Sequence, residues 1–307
     1  MYIRKSIIFF YLFFYGIKIF SQNIDSFRIY EDVKITVDKP AFLPKQQTII
    51  ILYALPNGHT TAQTMGKKMQ KDDDWRYNVQ HIKAQTEFIR SQLKKTTIIV
   101  CYLENTFKSW PLWKQKHEDH QQKISHIVDT LYTMFSGKKK FIYLNGHSGG
   151  GSFIFGLIAS GEKIPAFIKR ISFLDSNYGY DSSYMMKFVN WLNTVKNSHI
   201  NIFAYNDSVV IYKGELFKNA TGTWYQSHQM LKDFMKYYSF QYSFTDSIIM
   251  YKNKKIEFFL KPNPDRKIYH TQQVELNGFI HSILSGTTKD SKGYTYYSKR
   301  SYQHLIE

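Results

Sequence analysis

Residues 140–160 read KFIYLNGHSGGGSFIFGLIAS, and this stretch decides the fold. Residues 140–144 are a short apolar run, as expected for a strand covered on both faces, and residues 148–160 carry a helical pattern. Between them stands Gly146-His147-Ser148-Gly149-Gly150, followed by Gly151. This is G-x-S-x-G in the strand-turn-helix setting that gives the motif its meaning. A serine on so tight a turn has a strained backbone, and bulky side chains two positions to either side would clash. The turn lifts the Ser148 hydroxyl above the sheet. The helix N-terminus beneath it favours negative charge, and the Gly149 N–H points where an oxyanion would form. The plain alternative is a glycine-rich turn used only for packing. A phosphate-cradling P-loop lacks its lysine here.

Outward from this stretch, strand-like and helix-like runs alternate. Residues 35–37, 47–54 (QTIIILYA), 96–103 (TTIIVCYL), 170–174 and 200–205 read as strands. Helical spacing of apolar residues covers 78–95, 113–135 and 184–195. The alternation predicts an α/β protein, a mostly parallel central sheet with helices on both faces. After Asp207 the pattern changes to a small hairpin at 208–217, a helix at 224–238, a hairpin at 243–260 turning near Asn253-Lys254, and a polar loop at 262–273. No linker rich in Gly, Ser or Pro divides the chain, so residues 22–307 read as one catalytic domain with a C-terminal elaboration.

In its elbow the sequence resembles the α/β-hydrolase superfamily, and residues 47–285 can be laid onto that family's order of strands. It also looks like a type of exported bacterial hydrolase, through LPNG at 55–58, WPLW at 110–113, LDSNYGY at 174–180 and GTW at 222–224. The resemblance implies a serine hydrolase with the acid after the nucleophile and the histidine last. Behind the elbow lie His199, His228, His270, His281 and His304. His281 is expected as the general base, because it follows the last strands, sits in a loop with Gly278 three residues upstream and is flanked by apolar residues that would fix it. His270, in a more polar stretch, is second. His228 falls in a helix and reads as a surface residue.

Two aspartates compete for the acid. Asp207 follows what would be the seventh strand, the family's commonest place, and is slightly favoured. Asp175 follows the preceding strand, as in the pancreatic-lipase branch. Both precede a serine and also suit a plain turn or cap. The second oxyanion donor is expected in the loop after 47–54, from Asn57 or Gly58, where Pro-Asn-Gly would make a turn in any case.

Other clusters carry less. His117, Glu118, Asp119, His120 and His126 lack H-E-x-x-H spacing and read as a solvated helix face. No metal and no cofactor is expected. The WPLW tryptophans suit a sugar-binding cleft or simple packing. Cys101 is the sole cysteine and sits in an apolar run, so no intrachain disulfide forms.

The 307 residues are 43% hydrophobic and include 24 Tyr, 24 Phe and 5 Trp, a composition that excludes a disordered or collagen-like chain. Residues 1–21 open with Arg4 and Lys5, continue as an apolar run too short to span a bilayer, and end at Ser21. They read as a secretory signal peptide, which predicts an exported protein rather than one held by an uncleaved anchor. Removing them takes away Arg4, Lys5 and Lys18 and lowers the net charge from +17 to +14. In an exported protein that charge suits an anionic envelope surface, and no nucleic-acid partner is expected. The expected chemistry is acyl transfer on a small-molecule or polymer-linked carboxylic ester, the aromatic richness fitting a carbohydrate-linked one. A peptidase with the same triad and a non-catalytic envelope-binding protein are the rivals.

Overall fold

The computed structural model describes residues 22–40, 47–137, 139–216, 222–245 and 247–307. The expected signal peptide and its cleavage point lie outside them, as does the end of the 208–217 hairpin. The chain opens with strands β1 (Gln22–Tyr30), β2 (Val33–Pro40) and β3 (Gln47–Ala54). Helices α1 (Thr61–Met65) and α2 (Ile82–Gln92), strand β4 (Thr96–Asn105) and helices α3 (Trp110–Lys116) and α4 (His120–Met134) follow. The centre holds β5 (Lys140–His147), α5 (Gly151–Ser160), β6 (Ile168–Leu174), α6 (Met185–Thr194) and β7 (His199–Tyr205). The last third contains β8 (Ile211–Tyr212), β9 (Glu215–Leu216), α7 (Thr223–Phe234), β10 (Gln241–Thr245), β11 (Ile248–Lys252), β12 (Ile256–Lys261), α8 (Gln272–Glu275) and α9 (Gly278–Leu284).

Ten of the strands form one sheet in the order β1-β2-β4-β3-β5-β6-β7-β12-β11-β10. The stretch from β4 to β12 is parallel, and antiparallel strands close it on both sides. The mostly parallel sheet expected from the alternation is therefore present. Alternate residues of the central strands feed opposite cores, as the period of two requires. Ile50, Leu52 and Ala54 of β3 join a core under α3 to α7, whereas Ile49, Ile51 and Tyr53 join one under α2, α8 and α9.

Three expectations change. The continuous helix at 113–135 is two helices, broken where His117 takes an extended backbone and hydrogen-bonds through Nδ1 to the Trp113 carbonyl at 2.8 Å. The hairpin at 243–260 is a three-stranded meander whose last member, β12, enters the main sheet beside β7. The stretch around His281, expected as loop, is helix α9, so its apolar residues are the buried face of a helix. Trp110 and Trp113 are fully buried and donate to the Leu103 carbonyl and the Asp32 carboxylate, which is packing rather than a cleft. Cys101 is buried in β4, and burial pushes its thiol pKa up. No helix among the described residues is long and apolar enough to cross a membrane.

Arg170 of β6 fastens α9 to the sheet. Its guanidinium, almost wholly buried, donates to the carbonyls of Ser282 at 3.2 Å and Ser285 at 2.8 Å, the last turn of that helix. A cation there satisfies carbonyls that have no partner within the helix. Arg170→Met leaves the Ser285 carbonyl buried and bare, whereas that of Ser282 keeps the Ser172 hydroxyl and the Asn201 amide. It should cost about 3 kcal/mol of stability, measured as a lower denaturation midpoint with an unchanged slope.

Candidate active site

The site is assembled where β3, β5 and β6 end side by side. In register, Ala54 lies opposite Gly146, and His147 opposite Leu174. Ser148 and Asp175 are thus the next residues along neighbouring strands. Both hold positive φ, +53° at Ser148 and +46° at Asp175, outside the range that L-residues adopt freely. Ser148 opens a single 3₁₀ turn that leads into α5. The glycines behind it are required by close approach: a Cβ on Gly150 would stand 2.2 Å from the Ala54 carbonyl oxygen, and one on Gly151 would stand 1.7 Å from that of Ser176. The Ser176 hydroxyl then donates to the Gly146 carbonyl at 2.9 Å and ties the turn to β6.

Asp175 is fully buried, and its two oxygens have different donors. Oδ2 receives the Nδ1 hydrogen of His270, and Oδ1 receives the hydroxyl of Thr223, both in short contacts. Donation from Nδ1 leaves Nε2 as the basic nitrogen of His270. The loop that carries His270 follows β12 and rests on the elbow. His147 Nε2 donates to the His270 carbonyl at 3.1 Å, and the two rings lie 4.5 Å apart. His147 is buried, and burial with His270 and His59 nearby holds its imidazole neutral, well below the usual range. His59 donates from Nδ1 to the Asn57 carbonyl at 3.1 Å and is likewise kept neutral, chiefly by burial.

Of the expected residues, Ser148 and Asp175 come together at neighbouring strand ends, and the ring that meets Asp175 is that of His270, not His281. His281 is 3% exposed within α9, where Nδ1 meets the Tyr294 hydroxyl at 3.0 Å and Tyr296 stacks on the ring. Burial pushes its pKa down to about 4. Asp207, the favoured acid, makes no hydrogen bond to a histidine among the described residues. Its carboxylate faces the N–H groups of Thr223 and Trp224 at the start of α7 and lies flush against Gly222. Gly58 spends its N–H on the Lys108 carbonyl at 2.8 Å and is not free to serve an oxyanion. Asn57 is exposed, and its side chain packs onto Gly149, where a Cβ would stand 2.0 Å from Oδ1. Thr223 was not anticipated, although GTW at 222–224 marked its position. The histidines at 117, 120 and 126 are engaged with Asp32, the His117 carbonyl and Tyr30. No cluster of metal-ligating side chains occurs among the described residues.

No protein-family model matches the sequence, and no curated protein matches it. Solved structures do. A mutant of the feruloyl esterase module from Clostridium thermocellum, complexed with sinapinate, superposes with a TM-score of 0.51 at 10% identity over 90% of this chain and 91% of that one. A siderophore hydrolase from Aspergillus nidulans gives 0.47 at 11% identity, covering 86% and 95%. An esterase from Pyrococcus furiosus gives 0.42 at 12%, covering 86% and 87%. The first of these likenesses bears out the α/β-hydrolase fold.

Burial and the neighbouring Asp175 charge raise the Asp207 carboxyl to about 6, against about 3.9 for a free side chain. The folded state therefore binds this proton more tightly than the unfolded one. The resulting stability is fully present below about pH 4 and is lost as pH rises through about 6. Asp207→Asn has no such loss. Its melting temperature should rise relative to wild type between pH 5 and pH 7.5; a difference that stays constant across that range would contradict the assignment.

Proposed function

We propose that the protein is a serine hydrolase that cleaves carboxylic esters through an acyl-enzyme intermediate. The observation that carries this reading is the Asp175–His270 pair seated against the strained turn that presents Ser148. Ser148 Oγ attacks the ester carbonyl carbon while its proton passes to His270 Nε2. Asp175 orients the ring and stabilises the imidazolium. The tetrahedral oxyanion is received by the Gly149 N–H, with the Asn57 side chain beside it. When the C–O bond breaks, the alkoxide takes the proton from His270 and leaves as an alcohol. Water then repeats the sequence, giving its proton to His270 and its oxygen to the acyl carbon, and Ser148 recovers its hydrogen. All the groups used belong to the chain itself.

The feruloyl esterase likeness is one of fold, and it is compatible with an ester of an aromatic or carbohydrate-linked kind. We also propose that residues 1–21 direct export, which would place the basic surface among anionic envelope polymers.

A fluorophosphonate probe reacts with activated serines without requiring knowledge of the substrate. Wild type should label, and Ser148→Ala should abolish labelling. His270→Ala should slow it by roughly 10³-fold or more, whereas His281→Asn should label within about threefold of wild type, as expected of a residue that only packs. Folded wild type that does not label would refute the reading, and strong dependence on His281 with none on His270 would refute the assignment of the base.

A further inference from the structure

Asp175 has a second partner that the acyl-transfer steps do not use. Thr223 is fully buried and gives its single hydroxyl proton to Asp175 Oδ1, opposite the oxygen that meets His270. Thr223 is also the first residue of α7, a helix of twelve residues whose first N–H groups face Asp207. The Asp207 carboxylate is 4% exposed, faces the N–H groups of Thr223 and Trp224, and leaves no room for a side chain at Gly222, where a Cβ would come within 1.9 Å of Oδ2.

We propose that Thr223 is a positioning residue for the reaction centre: it clamps Asp175 so that one oxygen always faces His270, and Asp207 fixes Thr223 in turn by anchoring the N-terminus of α7. The inference rests on the reading of Ser148, His270 and Asp175 given above and deepens it. A buried carboxylate with a single donor can rotate about its Cβ–Cγ bond and present either oxygen to the imidazole at different distances. With both oxygens held it has one orientation, and the imidazole it carries has one as well. Asp207 sits where the fold most often keeps its acid, yet here it works through a helix and a hydroxyl. GTW at 222–224 thereby acquires a reason: glycine for the close carboxylate, threonine for the hydroxyl, and a third residue whose N–H completes the helix end.

The arrangement has an electrostatic consequence with a definite sign. The groups facing Asp207 are Asp175, Tyr178, Tyr205 and the two amides of α7. Those around His270 are Asp175, His147 and His59, the last two neutral. An ionised Asp207 adds negative charge beside the Asp175 carboxylate and strengthens the pull of that site on a proton. The Thr223 hydroxyl has the opposite influence, because its hydrogen bond draws charge from the Asp175 carboxylate. Removing the hydroxyl and removing the Asp207 charge should therefore move the acid limb of the labelling profile in opposite directions. General loosening of the fold moves it in neither.

The test is the second-order rate of fluorophosphonate labelling of the full chain from pH 4.5 to 9, for wild type, Thr223→Val, Thr223→Ser and Asp207→Asn. Thr223→Val should slow labelling about tenfold or more and shift the acid limb upward. Thr223→Ser, which keeps the hydroxyl, should restore both within about threefold. Asp207→Asn should shift the acid limb downward by about half a pH unit. If Thr223→Val labels at the wild-type rate with an unmoved limb, or if serine does not restore what valine removes, the proposal is overturned. Should circular dichroism show that Thr223→Val does not fold, the serine variant and the sign of the Asp207→Asn shift decide it. An unlabelled wild type would instead overturn the acyl-transfer reading itself, and this inference with it.

Discussion

Everything at the carboxyl end of the sheet depends on how closely three backbone segments approach at the turn after β5. Gly150 lies against the Ala54 carbonyl, and Gly151 lies against that of Ser176. No side chain larger than hydrogen fits at either place, so backbone atoms set how closely the ends of β3, β5 and β6 approach. Ser148 is left with φ of +53°, a conformation that costs about 1–2 kcal/mol relative to an ordinary helical one. Two apolar cores, one on each face of the sheet, hold that strain in place. Asp175 shares the condition at +46° on the next strand, which puts two strained residues side by side where the chemistry is proposed.

Much of this was legible in the sequence because it is local. A strand, a turn and a helix written in 21 consecutive residues, 140–160, place Ser148 without reference to the remainder of the chain. Buried parallel strands are likewise continuous apolar runs, and β3, β4 and β5 can be read directly. His270 and His281 were harder to tell apart. Apolar neighbours that would fix a loop histidine look the same as those that bury one face of a helix, and Phe279, Ile280, Ile283 and Leu284 proved to be the latter. The choice between Asp175 and Asp207 was beyond local reading altogether. Each stands just past a strand and before a serine, and only the return of the chain through β12, beside β7, decides which carboxylate the His270 loop meets.

The histidines illustrate how one residue type divides by environment. His199 bonds Glu257 at 2.9 Å at the opposite end of the strands, and His281 lies between aromatic rings on α9; burial lowers each to about 4. His147 and His59 are also neutral and buried, but they lie along the edge of the site and hold its loops. Among the described residues, only His270 combines partial exposure with a carboxylate partner on Nδ1. A count of histidines along the chain does not reveal this division. It follows from which strand end each one reaches.

Cys101, the single thiol of the chain, lies sealed in the middle of β4 with 0% exposure. The native protein is thus closed to maleimides and other thiol reagents, whereas a chain that opens its central sheet admits one label per molecule. The protein carries its own reporter of global opening. Any cysteine introduced on the surface would stand alone as an attachment point for a dye or spin label, with no need to remove the natural one.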